Sequence, residues 1–287
     1  MQSEARREES FTLRQANFAS VGILSPSELR NKVKKSSSAD TFFVLGSGAS
    51  VADLTPANFE EISRQVSVGI NNWGVHDFIP DMYSLESVPK VGDGRGLSRA
   101  LELLSREDVL NRRPLILVLK PRTERELVEL VNVPAVLREN LSFYGRIGPA
   151  TRLASNLRDD ISDYFSYVNT RFPSVLLDSG ASVIRMINLG ILLGFRKIVL
   201  LGVDLNGSPY FWEKNTAYSS DLAREIPISH HPAGAHETTL QSSRAFDVVT
   251  FVRVLSQYFA EELDGEILVG SSYSRLAEFL PVVSWNR

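Results

Sequence analysis

The stretch SVIRMINLGILLGFRKIVLLGVDL, residues 182–205, constrains the fold more than any other part of the chain. Ser182 to Leu193 is apolar on nearly every side, so a helix there must be covered all round. Gly194 stands where a helix ends in the left-handed conformation. Arg196 and Lys197 then lead into Ile198–Val203, aliphatic apart from Gly202 and without polar alternation. Such a run fits a strand covered on both faces, as the strands of a parallel sheet are. Asp204 closes it, at the carboxyl end of the predicted strand, where open α/β sheets bind their ligands.

Similar short apolar runs recur at FFVLG, VSVGIN, DMYSLE, PLILVLK and GEILVG. Helical stretches are expected between them, around Gly96–Leu104, Glu124–Val131, Thr151–Tyr167, Ser182–Leu193 and Thr238–Phe259. Strands alternating with helices predict an α/β, Rossmann-like, doubly wound and mostly parallel sheet. With 287 residues, 43% of them hydrophobic, the chain can bury one sizeable core. Residues 39–287 are read as a single domain, with 206–237 as an active-site loop or lid in its C-terminal part. Residues 1–38 precede it, either as a flexible extension or as a short helix and linker. SPSE supplies a start signal for that helix near Pro26, with Ser25 as N-cap and Glu28 three residues on.

Charge excludes some partners. A net charge of −3 gives no general affinity for nucleic acid. The absence of cysteine excludes disulfides and Cys-ligated metals and makes a reducing, cytoplasmic setting the default. No apolar stretch approaches the roughly 20 residues of a membrane helix. The N-terminal segment has no apolar core of a secretory signal.

FFVLGSGASVADL, residues 42–54, runs an apolar strand into Gly46-Ser47-Gly48. Such a loop either approaches a phosphate closely or is a turn that needs small residues for backbone reasons. Val51 stands at the third glycine position of a dinucleotide fingerprint, and Asn71-Asn72 follow the next strand where a ribose-binding acid would stand. An amide both donates and accepts, so Asn71 suits a nucleotide but argues against NAD. No Gly-Lys-Ser/Thr follows, so this is not a P-loop. A second constellation combines LLDSGAS with VDLNGSPYFWE. Asp178 and Ser179 either cap the following helix or, with Gly180, receive an anion at its start. Tyr210, Phe211 and Trp212 form a hydrophobic lid or a substrate wall.

His230, His231 and His236 cluster in SHHPAGAHETT, and His76 stands apart as a candidate structural hydrogen bonder. The spacing does not match the two histidines one helical turn apart of H-E-x-x-H, so no metal site is expected. His236, before a long helix expected from about Thr238, suits a general base.

Taken in chain order, GSGAS, GIN, SGASVIRMINLGILLGFRKIVLLGVDLNGSPY, GAHETTLQSSRAF and ILVGSSYSRLAEF resemble the bacterial sialyltransferases of glycosyltransferase family 42 and the related flagellin-modifying sugar transferases. The resemblance spans about Thr41 to Leu280 and is weakest over about Lys90–Tyr167. It implies a GT-A-like sialyltransferase fold and inverting, metal-independent transfer of a sialic acid or related nonulosonic acid from a CMP-sugar to a glycan hydroxyl. On that resemblance Gly46, Ser47 and Gly48 form the CMP-side loop and Asn71 contacts the nucleotide. Ser179 and Gly180 contact the donor, with Asp204 in the same pocket. Tyr210 holds the leaving phosphate and His236 is the base. No cofactor is implied beyond the CMP-activated sugar. The implied partners are that donor, a glycan or glycolipid acceptor, further copies of the chain and, peripherally, the inner face of the membrane.

The chain departs from the family pattern in four places. The turn after GVDL lacks a second phosphate tyrosine. The arginine expected before Ser-Gly falls at Leu176, leaving Arg171 and Arg185 as candidate replacements. Ser47 replaces an asparagine, and Glu86 stands near a second nucleotide-binding asparagine. Two other functions remain open on the residues alone. One is a pterin pyrophosphokinase-like enzyme with Mg²⁺ on carboxylates such as Asp204. The other is a non-catalytic nucleotide- or glycan-binding protein.

Overall fold

The computed structural model describes residues 26–33, 39–86, 102, 104–119, 135–138, 140–151, 153–171, 175–214 and 246–285. His230, His231 and His236, the Ser25 cap, the linker at 34–38, the helix expected over Glu124–Val131 and most of the one over Gly96–Leu104 lie outside the described residues. So does the lid beyond Lys214.

Eight strands form one sheet: β1 (Thr41–Leu45), β2 (Val66–Ile70), β3 (Met82–Leu85), β4 (Leu115–Leu119), β5 (Leu141–Ile147), β6 (Val175–Leu177), β7 (Lys197–Leu201) and β8 (Glu266–Val269). Their order is β6-β5-β4-β3-β2-β1-β7-β8, and every pair is parallel. Strand order reverses beside β1, because β7 returns to its free side after the chain has laid out β2 to β6.

The continuous apolar runs follow from burial on both faces. Phe42 and Val44 of β1 enter one core with Ile198 and Leu200 of β7, while Phe43 and Leu45 enter the other with Val199 and Leu201. The first core is covered by α1 (Pro26–Val33), α5 (Leu157–Arg171), α6 (Ser182–Leu192) and α8 (Val248–Leu263). The second is covered by α2 (Pro56–Ser63), α3 (Glu107–Arg112), α4 (Ala135–Arg138) and α7 (Phe211–Lys214). Each buried Leu, Ile, Val or Phe contributes about 1.5–3 kcal/mol relative to exposure. This is the expected α/β, Rossmann-like, doubly wound architecture. Among the described residues no helix is long and apolar enough to cross a membrane.

Helix α6 is buried almost throughout and ends as its sequence predicts. Gly194 takes φ 83°, its amide donating to Ile191 O at 2.9 Å while Phe195 N donates to Gly190 O at 3.1 Å. That pair of bonds closes a Schellman cap.

Three expectations are corrected. Strands β5 and β6 interrupt a region read without strands. β5 is LSFYGRI, whose polar positions break the apolar run, and β6 has only three residues. Helix α5 starts at Leu157 rather than near Thr151, after a short 3₁₀ turn at Ala154–Asn156. Helix α8 starts at Val248, where Asp247 caps it: Oδ1 accepts from Thr250 N at 2.9 Å and Oδ2 from Thr250 Oγ1 at 2.7 Å. His236 and the start expected near Thr238 lie outside the described residues.

Candidate functional site

The carboxyl ends of the strands bring the predicted residues together in two groups. The first lies where strand order reverses. Beyond β1 the chain enters the Gly46–Gly48 loop, and beyond β7 it enters the Gly202–Tyr210 loop. Gly46 N donates to Leu201 O and Gly48 N to Gly202 O, each at 2.7 Å. A Cβ on Gly46 would lie 2.5 Å from Gly202 O, and one on Gly202 would lie 2.4 Å from Gly46 O. Gly202 also has φ +62°. These glycines are required because two backbones touch.

Asp204 completes the closure. Its Oδ2 accepts from Ser50 N at 2.9 Å and its Oδ1 from Ser50 Oγ at 2.5 Å. The carboxylate is 6% exposed. It faces the start of the 3₁₀ turn Ala49–Asp53, where an external anion would be expected to bind. A Cβ on Gly48 would sit 2.5 Å from Asp204 Oδ2. Tyr210 forms an antiparallel bridge to Gly48, and its ring stacks on Trp212 at 4.6 Å. Phe211 N donates to Ser47 O at 3.1 Å, so α7 is fastened over the loop. Phe211 and Trp212 are buried in the second core. Ser47 Oγ is buried with no hydrogen-bond partner among the described residues.

The second group gathers at the start of α6. Asn71, just past β2, is exposed and holds φ 56°, a left-handed conformation that asparagine tolerates better than most residues. Its Oδ1 lies 3.0 Å from Ser182 Oγ. The same hydroxyl contacts Glu86 Oε1, beyond β3, and with one proton it serves one acceptor at a time. Arg185, fully buried, donates through Nη1 to Asp178 Oδ1 at 2.7 Å and through Nη2 to Glu86 Oε1 and to Ser182 Oγ. It therefore ties the end of β6 to the end of β3.

Asp178 and Ser179 do not cap α6. The N-cap is Ala181, without a side-chain bond. Asp178 Oδ1 instead accepts from Gly180 N at 2.7 Å and Ala181 N at 3.1 Å, shaping the loop before the helix. Gly180 takes φ 90° in that loop. Burial pushes the Asp178 carboxyl above the ordinary carboxylate range, against the pull of those amides and of Arg146. Ser179 Oγ is buried without a partner among the described residues.

Sequence reasoning missed Arg146. It lies near the carboxyl end of β5 with Nη1 3.4 Å from Asp178 Oδ2, and its side chain is 35% exposed. The only available signal was a lone arginine before Gly148, in a strand whose pattern was itself obscured. Arg146 is a partly exposed cation in the neighbourhood where the resemblance expected one. Arg185 is the buried cation beneath it. The side chain of Arg171 lies outside the described residues.

His76 is structural. It is 4% exposed, stacks on Trp73 at 4.6 Å, and its Nδ1 accepts from Phe78 N at 2.8 Å. Burial, and then the charge of Arg106, lower its pKa from 6.5 to about 4. It is neutral at pH 7. No protein-family model matches this chain, and no curated protein matches it.

Proposed function

We propose that the chain is an inverting glycosyltransferase that moves a nonulosonic acid from a CMP-sugar to a glycan hydroxyl. The observation that carries the reading is the convergence of Asn71, Ser179, Gly180 and Arg146 around the start of α6. The first amides of an α-helix have no intrahelical acceptor and carry partial positive charge, which suits a phosphate. Asn71 supplies an amide for the nucleotide. Ser179 supplies a hydroxyl with no protein partner among the described residues. Arg146 supplies a cation for the sugar carboxylate.

The phosphate is assigned to the start of α6 and not to the glycine loop, because Asp204 already fills the anion position of that loop. Asp204 thereby leaves the donor-contact set and becomes a brace. The same occupancy argues against the pyrophosphokinase alternative, since both Asp204 oxygens are engaged by Ser50.

In the proposed reaction the acceptor oxygen attacks the anomeric carbon from the face opposite the phosphate. The bond from that carbon to the phosphate oxygen breaks, and CMP departs as an anion. The acceptor proton passes to His236, a role that rests on the sequence resemblance. The resemblance also gives Tyr210 to the leaving phosphate, but Tyr210 is bridged to Gly48 and stacked on Trp212 beside the glycine loop, so it is left out of this assignment. Calorimetric titration with CMP, UDP, GDP and NAD tests the reading. CMP should bind best, with or without EDTA, and Asn71→Ala should weaken it. A preference for NAD or a purine nucleotide would refute it.

A further inference from the structure

The opposite edge of the sheet carries a cavity of about 380 Å³. It lies at the amino ends of β3, β4 and β5, between α1 and the turn that links α3 to β4. Its charged lining is Lys32, Arg112, Arg113 and Asp81, with Asn140 beside them. Asp81 is engaged at the start of β2, where Oδ2 accepts from Ser67 N at 3.0 Å and from Ser67 Oγ at 3.1 Å. Asn140 is fixed as well: its Nδ2 donates to Arg113 O at 2.9 Å and its Oδ1 accepts from Lys32 Nζ at 3.3 Å.

The two guanidinium groups differ from these. Arg112 and Arg113 are exposed, and among the described residues neither side chain makes a hydrogen bond or ion pair. Among the described lining residues three cations stand beside one carboxylate. Arg113 also occupies φ 51°, a left-handed position where Gly or Asn would cost less. Arg112, in the last turn of α3, has an ordinary explanation in the helix dipole. The same explanation covers Lys32, in the last turn of α1, and Arg113, the C-cap of α3, so what points to a ligand is that the side chains of Arg112 and Arg113 face one cavity. In sequence Lys32 is followed closely by Lys34 and Lys35, with no acid between Arg30 and Lys35. The volume falls in the roughly 300–1,000 Å³ range of small-molecule sites.

We infer that this cavity binds a phosphate-bearing anion, held by Arg112, Arg113 and Lys32, at a site separate from the carboxyl edge. Arginine forks match phosphate oxygens in bidentate geometry and lysine adds a point charge. The phosphate is either that of a soluble metabolite or that of a lipid headgroup.

The full chain is titrated calorimetrically with inorganic pyrophosphate and co-sedimented with phosphatidylcholine vesicles with and without phosphatidylglycerol. The test variant is Arg112→Gln with Arg113→Asn, since asparagine keeps the left-handed turn, and its fold is checked by circular dichroism. Arg112→Lys with Arg113→Lys preserves the charge. Pyrophosphate affinity at least 10-fold weaker in the Gln/Asn variant, with a smaller loss in the Lys/Lys variant that keeps the charge but not the forks, supports a soluble ligand. The same pattern seen only with anionic vesicles supports a lipid headgroup. Wild-type protein that binds neither probe, or binding to both that the Gln/Asn variant leaves unchanged, overturns the inference.

Discussion

Replacing Asp204 separates a brace from a ligand group. Its two oxygens accept the amide and hydroxyl of Ser50 in a buried setting. Hydrogen bonds to a charged group are worth about 1.5–3 kcal/mol each, and a buried donor left unpaired carries its own penalty. Asp204→Ala should therefore cost about 3–5 kcal/mol, a large share of the roughly 5–15 kcal/mol of a typical domain. Asp204→Asn should cost less, about 1–2 kcal/mol. Its carbonyl still accepts from Ser50 N and its amide can donate to Ser50 Oγ, so only the charge assistance is lost. Urea unfolding followed by circular dichroism reads both as shifts of midpoint at constant slope. A double-mutant cycle with Ser50→Ala should show coupling of about 0.5–3 kcal/mol. The brace is refuted if Asp204→Ala costs under about 1 kcal/mol, or is additive with Ser50→Ala, while nucleotide binding disappears. That outcome would return Asp204 to the ligand.

Arg185→Met should destabilise by about 3–5 kcal/mol, because it leaves the Asp178 and Glu86 carboxylates without their shared buried cation; equilibrium unfolding measures it. His76 gives a pH signature. The unfolded state takes up its proton near 6.5 and the folded state only near 4, so this stability is complete above pH 6.5 and is lost as pH falls toward 4. The loss is about 3 kcal/mol in all, and the pH dependence of His76→Gln unfolding should lack it. His236→Ala should lose about 10²–10⁴-fold in transfer rate while keeping its fold and its affinity for CMP. Wild-type rates in that variant, with loss in His231→Ala, would move the base.

The six long apolar runs were legible because residues facing opposite cores must both be apolar. β5 was hidden by Ser142, Gly145 and Arg146 within it, and β6 by its length. The start of α8 had a readable signal, the aspartate of FDVV, which the more conspicuous AHETT outweighed. The glycine loop was located correctly, but its role was not legible. G-x-G reports only that something comes close to the backbone, and here that is Gly202 and Asp204. The partner of Ser50 lies 154 residues away in the chain, so no local pattern could name it. Arg146 was missed for the same reason, since its neighbour Asp178 follows a different strand.

In a doubly wound sheet the ligand crevice opens where strand order reverses, here between β1 and β7. In this chain that position is closed by direct backbone contact and an internal carboxylate. Open polar capacity lies instead on the other side of β1, at the exposed amide of Asn71 and the start of α6. There Arg185 and Arg146 stand against Asp178 and Glu86, two cations against two carboxylates, so the remaining field is that of the first amides of α6. Under the proposed reading the sugar carboxylate competes with Asp178 for the partly exposed guanidinium of Arg146. Arg146→Gln should therefore weaken binding of an acidic sugar nucleotide by more than it weakens binding of CMP alone. Equal losses for both ligands, read by calorimetry, would place the phosphate and not the sugar carboxylate at Arg146.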